Sequence, residues 1–287
     1  MLNSGNAAPK EQLCTYATYF AGGGGYLKGV YALARSLQDV DSAYPLTVFA
    51  SKDVSEGDLT TMQEWGIEIC LLDPARIPQR IQLLNDANGF QHWNSTFDKV
   101  CLFSAVQFKK IILLDSDMIV LQNIDHLFGK PHLSAVAAGH LANPDWIDLN
   151  SGCVVIEPRE RLAEEMLAVL GKLNEDSLEL YKGLGDQDLV HIAYPDWPHQ
   201  DDLHLSETFN LLSDNAARYI GSGILRKEEV AVVHFAYKPK PWAFTLGSWL
   251  PVLKRAIRWK SLAELEFLCR YRHLLKEASS PLDSRSS

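Results

Sequence analysis

KKIILLDSDMIVLQNIDHLF, from Lys109 to Phe128, is the stretch on which the fold turns. Ile111 to Leu114 form an unbroken apolar run, Asp115, Ser116 and Asp117 follow at once, and the chain turns apolar again at Met118. A short apolar run bounded by polar residues reads as a strand buried on both faces, as in parallel sheets. On extended chain, residues i and i+2 point to the same side, so Asp115 and Asp117 share a side. Two carboxylates that close repel unless a cation lies between them. Oxygen ligands suit Mn²⁺ or Mg²⁺, ions that also hold substrate phosphates. The plainer reading is a strand-end turn with solvated acids. Position favours the first reading, because open α/β sheets bind ligands outside the carboxyl ends of their strands.

The surrounding chain supplies such a sheet. Leu13 to Phe20 reads as a strand, followed by AGGGGY and a helix in which Val30, Leu33, Ala34 and Leu37 fall on one face. PLTVFAS (45–51) and IEICLL (67–72) read as further strands, with a helix over 55–65 between them. Residues 95–108 read as a helix leading into Ile111. Later strands are expected at 134–138, 153–156 and 230–235. Strands alternating with helices predict an α/β domain with a mostly parallel sheet. The polar ends, 1–11 and 278–287, read as a flexible N-terminus and a disordered tail.

The chain has 287 residues, of which 47% are hydrophobic and 22% charged, ordinary values for a globular protein. Its formal net charge of -9 argues against nucleic acid as a partner. Cys14, Cys70, Cys101, Cys153 and Cys269 show no metal-type spacing and sit mostly in apolar segments. They read as reduced, buried thiols of a cytoplasmic protein. The first residues lack the apolar run of a signal peptide, and no stretch is long and apolar enough to span a membrane.

Other motifs add to the DSD. Gly22 to Gly25 lie between a strand and a helix, where backbone can approach a phosphate, but neither a P-loop nor a dinucleotide fingerprint is present. LNSGCVVIEP (149–158) sets Asn150 and Ser151 before an apolar strand. GLGDQDLVHIAY (183–194) sets Asp186, Gln187 and Asp188 at a helix start. VAVVHFAYKPKPW (230–242) ends an apolar strand with His234 and carries Lys238 and Lys240 beyond it. A lone histidine in an apolar strand is more often core packing. With an Asp-x-Asp and two lysines it also suits a metal–diphosphate site.

In order, YLKG, FDKV, QFKKIILLDSDMIVLQNIDHLF, LNSGCVVIEP, GDQDL and HFAYKPKPW resemble glycosyltransferase family 8, over roughly residues 13–244. Within that family the nearest likeness is to galactinol synthase, carried by ATYFAGGGGYLKGVYALARSL and SAYPLTVFA. The resemblance implies a GT-A fold over 12–246, with a Rossmann-like mixed sheet flanked by helices, and a C-terminal helical segment over 247–277. It implies a retaining hexosyltransferase using UDP-galactose or UDP-glucose and a small-molecule or glycan acceptor. Asp115, Asp117 and His234 match the ligands of Mn²⁺ on the UDP diphosphate. Lys99, Asp186 and Gln187 match residues at the reaction centre, with Lys99 also touching the donor. Thr18, Gly22 and Tyr26 lie where the family holds uracil and ribose; Ser116, Asn150 and Lys240 belong to the remainder of the donor site, Lys240 on the diphosphate.

The pattern departs from the family at Tyr237, where a small residue is usual, at Cys101, and mildly at LNSG. Tyr237 feeds an alternative reading, a UDP-sugar-binding protein without turnover. A strand ending in Asp-x-Asp also opens the haloacid-dehalogenase phosphatases, although there the motif stands near the start of the domain. The tail from Trp249 to Lys276 reads as helix, with Leu250, Leu253 and Ile257 on one face and Leu265, Leu268 and Leu275 on another stretch of face. Its basic residues would suit a membrane surface, but acids dilute them. The expectation is a helical pair packed on the domain or on a second copy in a homodimer, without membrane association.

Overall fold

The structure, a computed structural model, describes residues 13–23 and 25–276, so the expectations for 1–11 and 278–287 fall outside the described residues. Among the described residues the strands are β1 (Leu13–Phe20), β2 (Leu46–Ser51), β3 (Glu68–Leu72), β4 (Phe108–Leu114), β5 (Met118–Val120), β6 (Ala135–Val136), β7 (Asn150–Ile156), β8 (Leu211–Leu212) and β9 (Val232–His234). The α-helices described are α1 (Tyr26–Asp39), α2 (Glu56–Glu64), α3 (Gln79–Ala87), α4 (Leu162–Leu170), α5 (Glu175–Leu178), α6 (Asp186–Ala193), α7 (Ala216–Gly221), α8 (Trp249–Trp259) and α9 (Ala263–Lys276).

Six strands form a mixed sheet in the order β3-β2-β1-β4-β7-β6. β3, β2, β1 and β4 are parallel, and β7 runs antiparallel to both its neighbours. β4 is central, and its apolar run explains why. Ile111 and Leu113 face a core built with Phe97, Leu102 and the helices α4 and α6. Ile112 and Leu114 face the opposite core, built with Leu33 and Leu37 of α1. All four are at most 2% exposed, as a strand covered on both faces requires.

The Asp115–Asp117 turn carries the chain from this sheet into a second one, ordered β5-β9-β8. Met118 of β5 pairs with His234 of β9, and Phe235 N–H donates to the Asp117 carbonyl at 3.0 Å. This small sheet brings a residue more than a hundred positions downstream to the end of β4. Helix α1 lies against the same turn. A Cβ on Gly29 would stand 2.3 Å from the Ser116 carbonyl oxygen, so the glycine of YLKG is fixed by close approach of backbone to backbone.

Several local expectations are corrected. Residues 95–108 are not an α-helix: Thr96–Ser104 is a 3-10 helix, and β4 already begins at Phe108. Phe97, Val100, Cys101 and Phe103 favour helix weakly, and pairing with Leu13 draws Phe108 into the sheet. Only Ala135–Val136 of the expected strand 134–138 is paired, whereas β7 starts earlier than expected, at Asn150. The tail is the expected pair of helices. The chain reverses at Lys260, which has φ 50°, and Arg255 clasps Glu264 across the reversal at 2.8 and 2.6 Å. Of the cysteines only Cys153 is buried, and Cys269 is exposed.

The largest difference is at α8. Its inward face is Val252 and Ala256, while Leu250, Leu253 and Ile257 point to solvent. α9 behaves as expected. Phe267, Leu268, Tyr271 and Leu274 are buried against Ala32, Val233 and Phe235, and Leu265 and Leu275 are partly buried.

Candidate active site

A cleft of ≈ 590 Å³ opens at the carboxyl ends of β1 and β4, a size suited to a nucleotide-sugar-sized ligand. Asp115, Ser116, Asp117, Asn150, Asp186, Gln187, His234, Lys99, Gly22 and Tyr26 all line it. Residues scattered from 22 to 234 in the chain therefore meet in one cleft.

Asp115, Asp117 and His234 each offer one ligand atom, all within 4.8 Å of one another. His234 Nε2 lies 3.2 Å from Asp117 Oδ1 and 3.8 Å from Asp115 Oδ2. His234 Nδ1 faces Asn210 Oδ1 at 3.0 Å, and Asn210 Nδ2 donates to Asn150 Oδ1 at 2.8 Å. Because the Asn210 amide nitrogen is committed to Asn150, its oxygen accepts, so Nδ1 carries the hydrogen. In the neutral ring the Nε2 lone pair then points into the carboxylates. Asp117 Oδ1 is buried and accepts no hydrogen bond among the described residues. Two buried acceptors this close are stable only with a cation, a proton or a metal ion, between them. The donor set of two carboxylates and one imidazole fits Mn²⁺ or Mg²⁺.

Gly152 sets the imidazole's place. A Cβ there would fall 2.7 Å from His234 Cε1 and 2.9 Å from Asn150 Oδ1, so the glycine of LNSG leaves the space the ring fills. Burial works to raise the Asp117 carboxyl, but the His234 ring, when it carries a proton on Nε2, and the Lys240 ammonium outweigh it and hold it below the usual range.

Lys99 bridges the two sides of the site. Its Nζ lies 2.7 Å from Asp115 Oδ1 and 2.8 Å from Asp186 Oδ2. Burial acts to lower the Lys99 pKa; the two carboxylates prevail and raise it above the ordinary lysine value. Asp186 shows the converse: burial acts to raise it, and Lys99, with hydrogen bonds from Ser151 and Thr96, lowers it. Both groups therefore stay charged across neutral pH. Asp186 opens α6, and its N–H donates to Thr96 Oγ1 at 3.1 Å. Gln187 Oε1 accepts from Ser151 N–H at 3.1 Å, which aims that side chain along β7.

Two sequence-derived candidates stand elsewhere. Thr18 is fully buried within β1 and does not line the cleft; its neighbours Tyr19 and Phe20 do. Thr18 lies two residues short of the strand end at which the cleft opens, between strands β2 and β4. Lys240 is buried behind Asp117 rather than on the cleft wall. Its ammonium donates to Asp117 Oδ2, to the Phe235 carbonyl at 2.9 Å and to the Ala236 carbonyl at 2.7 Å. All three of its hydrogens are thereby committed.

Sequence reasoning missed Asn210, Trp93, His92 and Thr96. Asn210 gave no signal, since a single asparagine before LLSDN is ordinary turn chemistry. Trp93 stacks on Phe90 with centroids 4.3 Å apart and lines the cleft beside His92. FQHW could have been flagged as an aromatic cluster in a polar loop.

Comparison with known proteins agrees with this geometry. The family model "Glycosyl transferase family 8" matches residues 17–245. Galactinol synthase 7 of Arabidopsis thaliana is 35% identical over 128 residues, which is 45% of this chain but only 37% of that protein. Human glycogenin-1 is 26% identical over 262 residues, covering 90% of this chain and 70% of that protein. Among solved structures, the galactosyltransferase LgtC in complex with donor and acceptor sugar analogues superposes with a TM-score of 0.56 at 18% identity. That superposition covers 86% of this chain and 95% of LgtC, and supports a GT-A fold. With a match over most of its length and the acidic, histidine-bearing cleft at the end of β4, the chain belongs to glycosyl transferase family 8.

Proposed function

We propose that the protein is a metal-dependent, retaining hexosyltransferase that takes galactose or glucose from a UDP-sugar and passes it to a small-molecule or glycan acceptor. The observation that carries the reading is the convergence of Asp115, Asp117 and His234 within 4.8 Å on the wall of the cleft. In this reading Asp115, Asp117 and His234 hold Mn²⁺ or Mg²⁺. The bound ion supplies Lewis-acid stabilisation of the diphosphate as charge develops on it. In this reading Tyr26, Gly22 and Ser116 serve the nucleoside, and Asn150, Asp186 and Gln187 serve the hexose; all six line the same cleft.

Lys99 is the pivot of this arrangement. Its ammonium touches one metal-ligand carboxylate and one carboxylate on the sugar side. Its ammonium keeps Asp186 ionised and, by pairing with it, tempers its nucleophilicity. Asp186 and Gln187 line the region where an acceptor face meets the sugar, and Gln187 is held there by Ser151 N–H. Galactose is placed slightly ahead of glucose on the galactinol synthase likeness. A cytoplasmic location is part of the same reading. The phosphatase reading of DSD falls with the family assignment.

UDP release from a panel of UDP-, GDP- and CMP-sugars, with Mn²⁺ and with chelator, tests the proposal. The expected result is Mn²⁺-dependent release from UDP-galactose or UDP-glucose. Turnover of GDP- or CMP-sugars alone would refute the donor. Tight UDP-sugar binding without consumption against a broad acceptor panel would favour the non-catalytic alternative.

A further inference from the structure

Helix α8 and the turn before it carry a surface that the cleft does not use. Leu246 is 94% exposed, Leu250 55%, Leu253 45% and Ile257 78%. Leu250, Leu253 and Ile257 are spaced i, i+3 and i+7, so they form one stripe along the helix, and Leu246 extends it by a turn. A single exposed leucine needs no explanation, but a contiguous stripe marks a contact surface. The stripe cannot fold inward to hide. Val252 and Ala256, on the opposite face of α8, are already buried. The Arg255–Glu264 pair further ties the helix to α9.

The charge around the stripe is one-sided. From Lys240 to Ala263 the sequence has no aspartate or glutamate, in a chain whose formal net charge is -9. Lys254 and Arg258 are exposed along one flank of the stripe, and Lys260 is exposed at the helix end. Arg255 is neutralised by Glu264, and Glu266 of α9 is held by Lys227. The surface is thus apolar along its middle and cationic at its margin.

From this arrangement we infer that α8 docks the protein on an anionic lipid bilayer, its leucine stripe in the interfacial layer and its basic flank on the headgroups. A helix lying in the plane of a membrane presents this distribution: apolar groups reach the acyl boundary, and lysine and arginine meet lipid phosphates. A second copy of the chain fits less well. A two-fold contact through this stripe would bring Lys254 and Arg258 of both copies together without an acid to answer them. Among the described residues no helix is long and apolar enough to cross a membrane, so the attachment is peripheral.

The test is vesicle flotation of the full chain with phosphatidylcholine vesicles, with and without phosphatidylglycerol, at low and high salt. Removing α9 is unsuitable, because its Phe267 and Tyr271 belong to the core. Two surface variants serve instead, Leu250→Ser/Leu253→Ser/Ile257→Ser and Lys254→Glu/Arg258→Glu, each checked for unchanged thermal unfolding and UDP-sugar turnover in solution. The wild type is expected to float with anionic vesicles at low salt and to be released by high salt. Each variant is expected to bind those vesicles at least roughly tenfold more weakly. No flotation by the wild type, equal flotation on neutral vesicles, or full flotation of the triple serine variant would each overturn the inference. So would a dimer in light scattering that the serine variant dissolves, since the stripe would then be a subunit interface.

Discussion

Asn210 is fully buried and holds two polar neighbours at once. Replacing it with leucine, close to asparagine in volume, removes the acceptor for His234 Nδ1–H and the donor to Asn150 Oδ1. Asn150 Oδ1 keeps Gly152 N–H at 3.0 Å, so the imidazole bears most of the loss. A buried N–H left without a partner costs about 1–3 kcal/mol. The ring escapes that cost by moving its hydrogen to Nε2, where Asp117 Oδ1 waits 3.2 Å away. Nε2 then has no lone pair to offer a metal, and ligation must first reverse the tautomer. At 1.4 kcal/mol per tenfold, that penalty weakens metal-dependent binding roughly 10- to 100-fold. Calorimetric titration of UDP into wild type and Asn210→Leu, each with Mn²⁺ and with chelator, reads the effect. The variant is expected to lose affinity with Mn²⁺ and to match the wild type in chelator. Unchanged Mn²⁺ enhancement in a folded variant would refute the orienting role, and an equal loss in chelator would show that the damage bypasses the metal.

Asp117→Ala is expected to abolish Mn²⁺ enhancement of UDP binding in the same titration, and His234→Ala to weaken it less, because a neutral ligand rather than a charge is lost. Gly29→Ala sets a Cβ 2.3 Å from the Ser116 carbonyl; thermal unfolding should fall by the equivalent of about 1–3 kcal/mol, and an unchanged melting temperature would mean α1 yields freely. Asp125 accepts from Ala43 N–H, Tyr16 OH, Ser42 Oγ and Asn123 Nδ2, which outweigh burial and hold its carboxyl below the ordinary range. Its contribution is therefore present above the unfolded value of about 3.9 and is lost as pH falls through the folded one. The stability deficit of Asp125→Asn, read by urea unfolding, should narrow between about pH 7 and pH 3, and a constant deficit would contradict this. Tyr219, the tyrosine that would have to accept a sugar in self-glucosylation, is fully buried and donates to Glu207 Oε2 at 3.0 Å. Intact-mass spectrometry after incubation with UDP-glucose and Mn²⁺ should accordingly show no added hexose, and hexose-laden chain would disprove it.

The sequence alone determined the features whose cause is local. The apolar run Ile111–Leu114 specified a strand covered on both faces, and the Asp-Ser-Asp after it marked the strand end at which the cleft opens. The first follows from the apolar run itself and the second from the position rule for open α/β sheets, which need no knowledge of distant residues. YLKG and LNSG could be matched as motifs, but their reasons are tertiary. Gly29 is fixed by the Ser116 carbonyl, and Gly152 by the His234 ring. Asn210 was silent because its role depends on pairing β8 with β9, which sets it beside a histidine far along the chain. Lys240 was assigned to the diphosphate by its place in a motif, and only the folded chain turned it behind Asp117. α8 makes the same point in reverse. Its periodicity announced an apolar face but not which way that face would point. Val252 and Ala256 won the inward position because the chain reversal at Lys260 and the Arg255–Glu264 clasp fix the rotation of the helix. Hydrophobic pattern determines that a face exists; the choice between core, partner and solvent belongs to contacts that sequence spacing does not encode.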